Sequence, residues 1–231
     1  MSDNPRDAVL GRLRRTLGRP DNTAAERAVA ERLANPQPGI IPARADLDLA
    51  RRIALFISQA EAVQTTVRRL DGAARIPAAV VDYLRASNLP MRLVVAPDAA
   101  LDRPDWPAML EIRRGRAEDA DAVGLTTAFA GIAETGTLML LSGPETPTTI
   151  AFLPETSIVV LPAHRVLRAY EDGLSLLREE RGDLPRSINF ITGPSRSGDI
   201  EQTIQLGAHG PKRLLVLLID EPGAIGAETA G

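Results

Sequence analysis

The stretch Gly131–Leu140, GIAETGTLML, sets one carboxylate, Glu134, in a run that is otherwise apolar or small. Gly131–Ala133 and Leu138–Ser142 each suit a short strand. Thr135-Gly136 then suits the bend between them, because glycine adopts backbone conformations that other residues resist. Two chemistries are open to an acid at such a bend. It can be a solvated turn residue, as glutamate usually is. Alternatively, backbone N–H groups and the hydroxyls of Thr135 and Thr137 converge beside it. Partial burial then suits it to act as base, acid or nucleophile. Thr126 and Thr127 are further hydroxyls close in sequence.

A second constellation is Thr192–Glu201, TGPSRSGDIE, which follows an apolar run. Read as the loop between a strand and a helix, it offers the amides of Gly193 to Gly198, with Ser195 and Ser197. Arg196 adds a forked cation suited to phosphate or carboxylate. Its glycine spacing fits neither a Walker loop nor a dinucleotide fingerprint. Asp199 and Glu201 already answer the helix dipole, so Ser197 as a plain N-cap is the competing reading. In GAHGP, Gly207–Pro211, His209 sits on a turn where it either protonates a ligand or serves the backbone. His164 has no assigned role. Lys212, the only lysine, opens an apolar strand and reads as structural.

Composition narrows the chemistry. The 231 residues are 44% hydrophobic and 25% charged, with a net charge of −3, and the pI is about 5.5. No basic field marks nucleic acid or an anionic membrane as partner. The chain has no cysteine, which removes disulfides, thiolate nucleophiles and thiolate-held zinc or iron–sulfur groups. Two histidines do not make a histidine metal cluster, so neither a metal nor a resident cofactor is expected. The polar start, MSDNPRDAVLGRLRR, lacks the apolar core of a signal peptide, and no apolar run reaches a membrane-spanning length. The expectation is a cytoplasmic protein.

The elements that must position these groups follow from periodicity. Asp7–Leu17 suits a short basic helix, and the proline-rich Asn35–Arg44 an extended connector. Asp46–Leu70 carries apolar residues at helical spacing throughout and reads as one long helix. A second helix runs from Pro77 to about Ala86, then a strand at Met91–Ala96, and MLEIRRG suits another. Thr156–Pro162, SINFITG and KRLLVLLID are strands. Between them AHRVLRAYEDGLSLLREERG reads as one helix or two, and SGDIEQTIQLG as a helix closed by Gly207. Apolar strands alternating with amphipathic helices imply an α/β domain, its mostly parallel sheet covered by helices on both faces. The expected organisation is an N-terminal helix and arm over 1–45, one α/β domain over 46–221 and a tail at 222–231.

AGIAETGTLML, TGPSRSGDIEQTIQLGAHGP and the closing RLLVLLID together resemble the lactate-utilisation protein C family, the LutC/YkgG-like proteins with a LUD domain. The resemblance extends to the N-terminal RDAVLGRLRRTLG, while TPTTIAFL (Thr146–Leu153) departs from the family's serine- and leucine-rich approach to the next strand. It implies a fold like that of the ribose-phosphate isomerase (RpiA), glucosamine-phosphate deaminase (NagB) and CoA-transferase group. It also implies a role in oxidising L-lactate to pyruvate beside iron–sulfur proteins of the same operon. CoA-transferases of that fold place a glutamate before a glycine in a comparable turn, which makes Glu134 the residue analogous to theirs. A chain without cysteine or a dinucleotide fingerprint leaves electron transfer to other subunits. The leading expectation is therefore a non-redox subunit or accessory of that complex. The alternatives are a stand-alone enzyme using Glu134 on an acyl, CoA-linked or phosphorylated molecule, and a small-molecule scaffold or sensor. A small anionic ligand and self-association both stay open as partners.

Overall fold

A computed structural model describes residues 5–18, 23–37, 39–102, 104–197 and 205–220. The chain divides into two compact units, Met1–Ile40 and Ile41–Gly231. The first carries helices α1 (Pro5–Thr16) and α2 (Thr23–Ala34), neither of which has a buried residue. The second unit carries α3 (Leu49–Ala62), β1 (Thr66–Leu70), α4 (Ile76–Ala86), β2 (Arg92–Val95), β3 (Glu111–Arg114) and β4 (Val123–Thr127). There follow β5 (Ala130–Ile132), β6 (Thr137–Leu141), α5 (Thr148–Phe152), β7 (Thr156–Pro162), β8 (Val166–Leu167) and α6 (Tyr170–Arg181). The last strands are β9 (Ile188–Ile191), β10 (Arg196–Ser197), β11 (Gln205–Leu206) and β12 (Arg213–Ile219).

Six strands form the main sheet in the order β1-β12-β7-β4-β2-β3, with every neighbouring pair parallel. β7 and β12 lie within it and are apolar almost throughout, as strands buried on both faces must be. Alternation along β12 divides the core. Leu215, Leu217 and Ile219 share a cluster with Ile76, Val80 and Leu84 of α4, while Leu214, Val216 and Leu218 share one with Ile53 and Phe56 of α3. The second cluster takes in Leu138 and Leu140 of β6. A second sheet, β8-β5-β6-β9, therefore covers part of the main sheet, and α6 covers its far side through Met139, Leu141 and Leu177.

Several sequence expectations give way here. Asp46–Leu70 is helix only from Leu49 to Ala62, with Asp48 as N-cap accepting the Arg51 N–H at 2.9 Å. Gln64 takes a left-handed φ of 68° and turns the chain into β1, so Val67 and Leu70 are strand residues. SINFITG contributes β9 to the second, antiparallel-paired side of the fold rather than to the parallel sheet. Between β7 and β9 the chain makes a 3-10 turn and β8 before its helix. At both described ends of SGDIEQTIQLG the chain is strand, because β10 pairs with β11. Residues 198–204 between them, and the expected tail at 222–231, lie outside the described residues. The helices α2 and α5 and the β4 strand inside DAVGLTT add to those that periodicity predicts.

Candidate functional site

The Glu134 turn is built by β5 and β6, whose antiparallel register ends at Ile132↔Thr137 and leaves Ala133–Gly136 to reverse the chain. Gly136 has φ +65°, and a Cβ there would lie 2.3 Å from the Ala60 backbone nitrogen. Only glycine lets the turn sit flush on the C-terminal end of α3. The edge of the turn extends the β5–β8 pairing, with the Ala133 N–H donating to the Leu167 carbonyl (2.8 Å) and that of Glu134 to Arg168 (3.1 Å).

Glu134 is not a solvated turn residue. Its side chain is 13% exposed, and Oε1 accepts from Arg44 Nη2 at 2.8 Å. Arg44 belongs to the 3-10 turn Ala43–Ala45, anchored by the fully buried Ala45. Two residues on, Asp46 accepts from Arg168 Nη1 at 3.1 Å, and Arg168 grips Asp172 through Nε and Nη2 at 2.8 and 2.9 Å. Charges thus alternate from Glu134 through Arg44, Asp46 and Arg168 to Asp172. Hydrogen bonding to Arg168, with its charge, holds the Asp172 carboxyl below the usual carboxylate range. Hydrogen bonds to Asp172 and then Asp46 push Arg168 above its ordinary value.

Beyond the bend four hydroxyls meet. Thr137 Oγ1, on a fully buried residue, lies 2.7 Å from Thr135 Oγ1, 3.0 Å from the Tyr170 hydroxyl and 2.6 Å from Thr192 Oγ1. Thr135 is also 3.1 Å from Tyr170. Four hydroxyl protons suffice for these four contacts, which leaves lone pairs on Thr135 and Thr192 to receive a donor. Tyr170, the first residue of α6, stacks edge-on against Phe190 with centroids 5.0 Å apart.

The Thr137–Thr192 contact brings the two motifs together, and both rest on the C-terminal end of α3. Gly193, at φ +80°, passes so close to Val63 that a Cβ would be 2.7 Å from its carbonyl oxygen. Arg196 donates from Nη2 to that same oxygen at 2.7 Å. The guanidinium expected to hold an anion thus caps a helix end, a favourable placement for a cation. Ser197 lies in β10, and the segment expected to open a helix after it lies outside the described residues. Ser195 stitches the hairpin: its N–H donates to Pro211, its carbonyl accepts from Gly207, and its Oγ accepts the His209 N–H at 3.3 Å. His209 is exposed on that turn. Gly198 lies outside the described residues. Lys212 pairs with Glu155 at 2.5 Å, the structural role expected of it.

Thr192 joins the site from the head of the second motif, while Tyr170, Arg44 and the i,i+4 pair Arg168–Asp172 join it from outside both motifs. Among the described residues no group of three or more His, Cys, Asp or Glu could hold a metal ion. In the same residues no helix is long and apolar enough to cross a membrane. Two hollows lie away from Glu134. One, beside Thr126, Leu140 and Asn189, has room for about one water. The other is an open cleft at the carboxyl ends of β1 and β12, where Arg69 pairs with Asp220 and Arg75 with Asp71.

The chain has relatives. A lactate utilization protein C of Anoxybacillus flavithermus is 35% identical over 99 residues, 43% of this chain and 44% of that one. A lactate utilization protein C of Geobacillus kaustophilus is 35% identical over 136 residues, covering 53% and 57%. The chain spans about half the length of these curated relatives. A crystal structure of a DUF162-family protein from Deinococcus radiodurans shares the fold, with a TM-score of 0.59, 22% identity, and coverage of 75% of this chain and 99% of that one. The LUD domain family matches residues 53–219, from α3 through both sheets to the end of β12, and the chain belongs to the LUD-domain family.

Proposed function

We propose that this chain serves lactate utilisation as a non-redox subunit or accessory beside iron–sulfur proteins that oxidise L-lactate to pyruvate. The relatives named lactate utilization protein C support the process. The lack of cysteine supports the division of labour, since thiolate-held clusters must then sit on other chains. The observation that carries the accessory role is the closure of the Glu134 turn. Its carboxylate is engaged by Arg44, and Gly136 seats the bend on α3. A fastened turn of this kind presents a fixed surface for docking. The test is lactate-dependent dye reduction by the purified neighbouring gene products, with and without this chain. The rate or the complex should fall without it and be restored by Glu134→Gln. An unchanged rate and complex without the chain would remove the accessory role.

The four-hydroxyl cluster favours a second reading, in which a small anionic acyl or phosphorylated molecule binds beside the turn and Glu134, released from Arg44, acts on it. In that case Glu134→Gln should lower turnover by roughly two or more orders of magnitude while the fold is kept.

A further inference from the structure

The two larger sheets end in four edge strands: β1, β3, β8 and β9. An edge leaves backbone N–H and C=O groups without ladder partners, and proteins commonly guard such edges with charge. β1 carries Arg68 and Arg69, β3 carries Glu111, Arg113 and Arg114, and β8 is two residues long. β9, Ile188-Asn189-Phe190-Ile191, has no charge and no proline. Its ladder direction is fixed by the Ser142 N–H, which donates to the Ser187 carbonyl at 3.0 Å. The backbone groups of residues 187, 189 and 191 therefore face β6, and those of Ile188 and Phe190 point off the sheet. They meet no backbone partner among the described residues. The Phe190 side chain is 40% exposed beside them.

We propose that the β9 edge pairs antiparallel with β9 of a second copy, joining two four-stranded sheets into one eight-stranded sheet across a twofold axis. A second copy is the occupant this edge fits, because a neutral strand meets no like charge when it faces itself. Antiparallel pairing also lets outward-facing residues two apart exchange bonds in both directions. Centring the axis on Asn189 sets Ile188 opposite Phe190 of the second copy and Phe190 opposite its Ile188. Four backbone hydrogen bonds form, and two Ile–Phe contacts cover the exposed rings. Thr192 lies three residues along the strand, about 10 Å from the axis. The hydroxyl clusters of both copies thus flank the interface.

The cysteine-free sequence makes the register directly testable. Asn189 faces its own copy across the axis as a non-hydrogen-bonded pair, with Cα atoms about 4.5 Å apart, within disulfide range. Full-length Asn189→Cys should form a covalent dimer on mild oxidation far faster than Thr66→Cys on the arginine-bearing β1 edge. Sedimentation equilibrium of the unmodified chain should show a dimer, and Phe190→Lys should weaken it at least tenfold while the melting curve is retained. Should Phe190→Lys fail to fold, the cysteine comparison decides alone. A chain monomeric at every concentration, equal oxidation of the two cysteine variants, or a dimer indifferent to Phe190→Lys would each overturn the proposal. So would protection of β9 from hydrogen exchange only in the presence of a different protein.

Discussion

Gly136 carries more of the site than its size implies. Its positive φ, and the 2.3 Å that would separate an added Cβ from the Ala60 nitrogen, leave no room for alanine without moving the backbone of the turn or of α3. Gly136→Ala should therefore cost ~2–4 kcal/mol in denaturant unfolding. A cost below ~1 kcal/mol would mean the turn does not seat on the helix as described. The ion pairs around it behave differently. Arg44 is 65% exposed, so its bond to Glu134 fixes geometry more than it adds stability. Asp172 is more sheltered from water, and its carboxyl is held below the ordinary value in the folded state. Its contribution is thus complete above the unfolded value near 3.9 and is lost as pH falls through the folded value. Asp172→Asn should lower the melting midpoint modestly at neutral pH, by no more than about 1 kcal/mol in stability. It should also flatten the decline of the wild-type midpoint as pH falls below about 4. An unchanged acid limb would show that the Arg168–Asp172 pair is not formed in solution. The acid and the glycine are legible in the sequence because they are neighbours. The contacts of Tyr170 and Thr192 with Thr137 are not, since they span 33 and 55 positions.

The junction between α3 and β1 shows where local periodicity misleads. Leu49, Ile53, Phe56, Ile57, Ala60 and Val63 follow the helical period, and Val67 and Leu70 continue it by coincidence, although they stand in a strand. The break falls at Val63-Gln64-Thr65, which contains neither glycine nor proline. The Thr65 N–H donates instead to the Ala60 carbonyl at 3.0 Å, and Gln64 carries the left-handed turn. Pairing of Thr66–Leu70 with Leu215–Ile219 outweighs the local helical preference, a long-range term no window of sequence contains. Gln64→Val should destabilise by ~1–2 kcal/mol, because a β-branched residue resists that conformation, whereas Gln64→Gly should be neutral or slightly stabilising. Equal effects of the two substitutions on the unfolding midpoint would show that the left-handed turn is not the constraint. By contrast, Thr156–Pro162 and Arg213–Ile219 are legible, because central parallel strands are apolar on both faces and need no alternation to be recognised.

The two compact units differ in what holds them. In Ile41–Gly231 the core runs as layers: α4, the six-stranded sheet, then α3 with the four-stranded sheet, then α6. Every residue of β4, β6 and β7 is buried, so opening any of these strands uncovers core on both of its faces. In Met1–Ile40, α1 and α2 are 12 residues each, with Val9, Leu13, Leu17, Val29 and Leu33 exposed. Helices of that length are marginal unless an apolar face is covered. Native-state hydrogen exchange followed by mass spectrometry should therefore separate the chain into two regimes. Amides of β4, β6, β7 and β12 should exchange only through global unfolding, and those of α1 and α2 through local opening orders of magnitude faster. Protection of α1 and α2 equal to that of β7 would require their leucines to be covered in solution by something outside the folded unit. Adding the iron–sulfur proteins proposed above as partners to the same experiment then asks whether that cover is theirs. Protection that rises on α1 alone would place the docking surface on the N-terminal unit, and protection that rises around Glu134 would place it on the turn.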